Sequence, residues 1–125
     1  MFNHVSIGVR SLAASKRFYD AALGSLGIRC LSEDAGSLGY GSSQVCFWLL
    51  QTEHPVTADS KSGLHLCVDA PDTESVRNFH DAGLRNGGRD NGKPGLRSDY
   101  SSDYYAAFLV DPDGYRIEAY CRGQT

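Results

Sequence analysis

From residue 2 to residue 9 the chain alternates, with apolar Val5, Ile7 and Val9 interleaved with His4, Ser6 and Gly8. A period of two places the sets on opposite faces of a strand, so His4 opposes an aliphatic face. Leu12, Ser15, Phe18, Tyr19 and Ala22 then recur at helical spacing. Ser11 can cap that helix, Gly24 or Gly27 can end it, and its stripe would cover the aliphatic side of the strand. Three short strands are expected near 28–33, 38–42 and 44–51, separated by turn formers at Asp34-Ala35-Gly36 and Gly41-Ser42-Ser43. The first module, about 1–52, therefore reads β-α-β-β-β.

A polar linker over about 53–62, carrying His54-Pro55, precedes a restart of the pattern and a second module over about 63–122. Leu64, Leu66 and Val68 alternate with His65, Cys67 and Asp69, and Asp72 caps a helix bearing Val76, Phe79, His80, Gly83 and Leu84. Residues 86–103 are rich in Gly, Asn, Asp and Ser and are expected to form a long loop with room for one short strand. Asp111-Pro112-Asp113-Gly114 is a turn between Tyr104–Val110 and a last strand, in which Tyr115, Ile117 and Ala119 alternate with Arg116, Glu118 and Tyr120.

The two halves are related. Displaced by 61 positions, His4 falls on His65, Phe18 on Phe79, Asp20 on Asp81, Ala21 on Ala82, Leu23 on Leu84 and Gly27 on Gly88. A fixed offset marks a repeated supersecondary unit. Two such units about a pseudo-twofold axis would bring equivalent residues together, so that one histidine per module becomes a pair facing one cavity. A third ligand would complete a metal site.

Composition narrows the partners. A chain of 125 residues is one domain, long enough to bury a core without disulfides. Cys30, Cys46, Cys67 and Cys121 lie mostly in apolar runs without C-x-x-C spacing, which suits buried thiols in a reducing compartment, with the cytoplasm as the natural location. The N-terminus lacks the pattern of a signal peptide, and no run approaches the length of a membrane span. A net charge of -3 with scattered Lys and Arg offers no basic stripe for nucleic acid. A small molecule is the expected partner.

His4, the Phe18-Tyr19 pair, His65, and Asp111-Pro112-Asp113-Gly114 followed by Ile117-Glu118 together resemble the vicinal oxygen chelate superfamily, which includes glyoxalase I, fosfomycin-resistance enzymes, extradiol dioxygenases and bleomycin-resistance proteins. The resemblance covers essentially the whole chain. It implies an α+β fold of tandem β-α-β-β-β modules forming a U-shaped mixed sheet with helices on the outer face, often completed in a homodimer. It also implies His4, His65 and Glu118 as ligands of a divalent ion, with Glu118 doubling as a catalytic group. Two imidazoles and a carboxylate suit Fe, Mn, Co, Ni or Zn and leave positions open for substrate oxygens. His54, ahead of a proline, and His80, in the place of Tyr19, are not expected in the site.

Strand facing places Ser6, Cys67, Trp48, Tyr104, Phe108, Arg116 and Tyr120 on the side of the ligands, an aromatic wall around a polar floor. Tyr100, Arg97 and Lys93 are expected at its mouth, where the cations can pair with a substrate anion. By its resemblance to glyoxalase I the chain should carry a fourth, carboxylate ligand where it has Trp48, and an indole cannot ligate or act as a carboxylate base. Two functions are implied. One is a metal-dependent enzyme acting on a small oxygen-bearing substrate by lyase, isomerase, addition or dioxygenase chemistry. The other is a non-catalytic small-molecule or drug-binding protein of the bleomycin-resistance kind.

Overall fold

The helices follow the 61-residue offset residue for residue: α1 spans Leu12–Gly24 and α2 spans Thr73–Arg85. Ser11 and Asp72, also 61 apart, cap them by accepting from the backbone N–H groups of Ala14 and Ser75. Their ends diverge. Gly27 takes a positive φ after α1, whereas after α2 Gly87 does so, and Gly88 is freed for another purpose. These elements belong to a computed structural model that describes residues 1–123; Gln124 and Thr125, the end of the 1–125 domain expected from the sequence, lie outside the described residues.

Around the helices run β1 (Val5–Val9), β2 (Arg29–Glu33), β3 (Ser37–Gly41), β4 (Val45–Gln51), β5 (His65–Asp69), β6 (Arg89–Leu96), β7 (Tyr104–Val110) and β8 (Arg116–Arg122). They form two four-stranded mixed sheets, ordered β1-β4-β3-β2 and β5-β8-β7-β6. The fold is α+β, with one β-α-β-β-β module per sheet. In each, the first strand runs parallel to the last and antiparallel pairing links the rest.

This is the expected arrangement of paired modules. Within one chain β1 and β5 are not hydrogen-bonded to each other, so each module's sheet has an open edge at its histidine-bearing end. One expectation is corrected. The loop expected over 86–103 contains the full strand β6. Its alternation was hidden because the β6–β7 register shifts between Asp90 and Gly92 and again between Gly92 and Gly95. Such irregularities break the period on which strand recognition depends.

The modules share one apolar core, in which Val9, Phe18, Tyr19, Leu49, Phe79 and Leu109 are fully buried. Phe18 of α1 lies so close to Gly88 that an added Cβ would stand 2.4 Å from its ring. Polar links reinforce this seam: Tyr19 Oη donates to Asp111 Oδ2 at 2.5 Å, Tyr115 Oη donates to the Gly8 carbonyl at 2.6 Å, and the Arg10 backbone N–H donates to Asp113. Of the four cysteines expected to be buried, only Cys121 is; Cys30 is intermediate, and Cys46 and Cys67 are exposed. Cys46 and Cys67 point away from the helix-covered side of their strands. Among the described residues, no helix is long and apolar enough to cross a membrane.

Candidate functional site

In β5 and β8, parallel pairing sets His65 opposite Arg116, Cys67 opposite Glu118 and Asp69 opposite Tyr120. On the other side of β8, β7 places Phe108 opposite Glu118 and Ala106 opposite Tyr120. Residues two apart share a face, so His65, Cys67, Arg116, Glu118, Tyr120 and Phe108 all stand on the side of the sheet away from the core.

Glu118 is the centre of this face. Its side chain is only 5% exposed, and both oxygens are engaged: Oε1 lies 2.7 Å from His65 Nε2, and Oε2 accepts from Tyr104 Oη at 2.5 Å. Burial, and then the bond to Glu118, raise the pKa of the Tyr104 phenol, which stays a neutral donor. Desolvation first and the Glu118 charge second push the Cys67 thiol up to about 12, so it too stays neutral. Around this centre, Tyr100, Tyr104 and Tyr120 form an aromatic ladder, with ring centroids 4.9 Å and 4.3 Å apart. The Phe108 ring meets the His65 ring at 5.9 Å.

His4 lies elsewhere. It is exposed just ahead of β1, with Nδ1 on the Asn3 side-chain oxygen at 2.8 Å, which leaves Nε2 as the free nitrogen. Trp48 is also on the first module, where it pairs with Ser6 and Gly39 and lies over Gly39 with no room for a Cβ. The residues expected to share one cup thus fall into two groups, with His65, Glu118, Tyr100, Tyr104, Phe108, Arg116 and Tyr120 on module two and His4 and Trp48 on module one. Among the described residues no three His, Cys, Asp or Glu side chains are grouped to hold a metal ion. The donor types suit such an ion nonetheless. His65 and Glu118 already converge, and imidazole with carboxylate is a ligand set for first-row divalent metals.

Between the modules a cavity of about 350 Å³ runs along the free edge of β5, lined by Phe2, Val5, Tyr19 and Phe47 on one side and by His65, Leu66 and Val68 on the other. It is mainly apolar, with His65 among its lining residues. The remaining histidines have local roles or none: His80 is 7% exposed and pairs with Asp90 at 2.8 Å, and His54 is exposed in the linker.

Sequence reasoning missed the dual grip of His65 and Tyr104 on Glu118. Tyr104 and Glu118 are fourteen positions apart and meet diagonally across the β7–β8 pair, a relationship carried by no local spacing. Arg97, expected at the mouth, has its guanidinium over the Phe108 ring at 5.2 Å, a partner the sequence did not indicate. The irregular glycine-rich strand before it obscured which face Arg97 would take.

The Glyoxalase/Bleomycin resistance protein/Dioxygenase superfamily model matches residues 1–119. A glyoxalase/bleomycin resistance protein from Albidiferax ferrireducens T118 is 36% identical, with 100% of this chain and 99% of that one covered at a TM-score of 0.81. A glyoxalase-related enzyme from Fulvimarina pelagi shares the fold at 14% identity, covering 99% and 88% of the two chains, with a TM-score of 0.76. The E144Q mutant of glyoxalase I from Zea mays matches at 22% identity and a TM-score of 0.72, covering 94% of this chain but 45% of that one. No curated protein matches the chain.

Proposed function

From the premise that this chain belongs to the glyoxalase/bleomycin resistance protein/dioxygenase superfamily, we propose that it is a metal-dependent enzyme acting on a small oxygen-bearing substrate. The observation that carries this reading is the convergence of His65 Nε2 and Glu118 Oε1, 2.7 Å apart on a largely buried carboxylate. His4 is the proposed third ligand, supplied by the first module of a second copy. In support, β1 and β5 each have one open edge, and each is the strand at or beside which a ligand histidine lies. When bound, a divalent ion supplies Lewis-acid stabilisation of negative charge on a substrate oxygen.

The chain's own residues do the rest. Tyr104 holds one oxygen of Glu118, leaving the other directed at His65. Tyr104, Phe108 and Tyr120 offer flat surfaces for a planar substrate and exclude water from it. Arg116, in register with His65, adds positive charge at the rim. The four unpaired thiols support a reducing compartment such as the cytoplasm.

A second reading, a non-catalytic binder of a small apolar molecule, is favoured by the apolar cavity beside His65 and by Trp48 on module one. Metal analysis separates the two. The enzyme reading expects about one divalent metal per chain, lost in Glu118→Ala and in His4→Ala. Mixing those two metal-free variants should restore one site in each mixed dimer, about a quarter of all sites after random reassortment, if each site is shared between chains, because one of the two composite sites in a mixed dimer keeps all its ligands. A protein that takes up no Fe, Mn, Co, Ni or Zn would leave the binding-protein reading.

A further inference from the structure

Arg97 follows β6 and is tied down on every side. Its backbone N–H donates to the Tyr104 carbonyl at 2.7 Å, and its own carbonyl accepts from the Tyr100 and Ser101 N–H groups. Its guanidinium donates through Nη1 to the Gly95 carbonyl at 2.9 Å and through Nη2 to the Lys93 carbonyl, and stacks over Phe108. The same Phe108 ring touches His65 and sits opposite Glu118. A single aromatic ring therefore links this cation to the centre of the candidate site.

The charge is held in place without being neutralised. Among the described residues, neither Arg97 nor Arg116 has a carboxylate within ion-pair distance, although both are half-buried. Neutral carbonyls satisfy hydrogen bonds but leave the positive charge uncompensated, and a guanidinium cannot shed its proton. A flexible surface arginine would extend into water and be solvated there. This one is folded back onto an aromatic ring in the cup, and with two of its five N–H groups given to the Gly95 and Lys93 carbonyls it keeps three donors for an anion.

We infer that Arg97 is a substrate-binding residue that selects a carboxylate on a small planar substrate, with Arg116 adding to the positive potential. This rests on the proposed function, since the oxygens of the same substrate are to be held at the His65–Glu118 centre. The two claims separate in one set of titrations.

The probes are 3,4-dihydroxybenzoate and 3,4-dihydroxybenzamide, which share adjacent oxygens and ring shape and differ in one charge. Calorimetric titration is made on the full chain, zinc-loaded and metal-free, for wild type, Arg97→Met and Arg97→Lys, with zinc affinity measured beside it. The wild type should bind the acid about tenfold more tightly than the amide. Arg97→Met should abolish that preference with zinc affinity unchanged, and Arg97→Lys should retain part of it, which keeps the test open if the methionine variant does not fold. Equal binding of acid and amide, no binding of either, or a preference that survives both substitutions would overturn the inference. A preference for the acid that depends on Arg97 in a protein unable to bind zinc would uphold the anion site and remove the metal reading.

Discussion

The Tyr104 hydroxyl donates to Glu118 Oε2 at 2.5 Å while Oε1 of the same carboxylate lies against His65. A buried carboxylate with one oxygen already engaged is oriented before any ion arrives, and such outer partners commonly govern metal affinity. Tyr104→Phe keeps the ring and its packing on Tyr120 but removes the donor. Cobalt titration followed by visible absorption should show metal affinity falling by roughly 10- to 100-fold, with the fold retained at a stability cost of about 1–3 kcal/mol for the lost donor. Equal affinities would show that Tyr104 does not position the ligand.

The second buried carboxylate has a structural role. Asp111 accepts from Tyr19 Oη through Oδ2 and from the Asp113 and Tyr115 backbone N–H groups through Oδ1, and so joins α1 to the turn before β8. Tyr19→Phe leaves a buried oxygen without its donor and should cost about 1–3 kcal/mol in urea denaturation. A cost near zero would mean that this bond does not hold the modules together.

Asp111 also makes stability depend on pH in a definite direction. Burial outweighs the hydrogen bonds and raises its pKa from 3.8 to about 6, so the folded state holds the proton more tightly than the unfolded chain. Its contribution is therefore full below the unfolded value and is lost as pH rises toward 6. The exposed carboxylates of Asp34, Asp72 and Asp90 are shifted down and act oppositely, losing their contribution at lower pH. The informative comparison is the difference between wild type and Asp111→Asn. Across pH 4.5 to 6.5 the wild type should lose stability relative to the variant, by on the order of 2 kcal/mol at most. Parallel curves would show that Asp111 binds its proton no more tightly in the folded state than in the unfolded chain.

Ser15 offers a gain. Its side chain is fully buried in α1, and among the described residues its hydroxyl has no hydrogen-bond partner. Ser15→Ala removes an unsatisfied group and improves helix propensity, so thermal denaturation should show stabilisation of about 1 kcal/mol.

Gly88 offers the opposite. A Cβ there would lie 2.4 Å from the Phe18 ring and 2.8 Å from the Gly83 carbonyl, which is backbone and cannot turn aside. Gly88→Ala should destabilise by about 1–3 kcal/mol through forced separation of α1 from module two. Gly36→Ala, where a Cβ meets nothing, is the matched control and should be near neutral.

Most elements were legible in the chain because the residues that form them are neighbours in sequence. The alternation of Val5, Ile7 and Val9, the caps Ser11 and Asp72 and the Asp-Pro-Asp-Gly turn all act over a few positions, and each corresponds to an observed element, while the 61-residue offset shows that the set recurs. Alternation also put Glu118 on the same face as Arg116 and Tyr120, since side-chain direction in a strand is set by parity alone. It failed at β6, where shifts around Gly92 and Gly95 change the parity within the strand.

Distance in the chain marks the other limit. That Tyr104 would reach Glu118, that Arg97 would fold over Phe108, and that the His65–Glu118 pair would form apart from His4 and Trp48 depend on how strands and modules are placed in space. Local pattern assigns each side chain a face but not a neighbour. The sequence alone determined two repeated modules and the residue types available for chemistry. Only the tertiary structure decided which of them meet, because contact between distant residues follows from strand register and from the packing of α1 against α2, and neither is encoded in any single stretch.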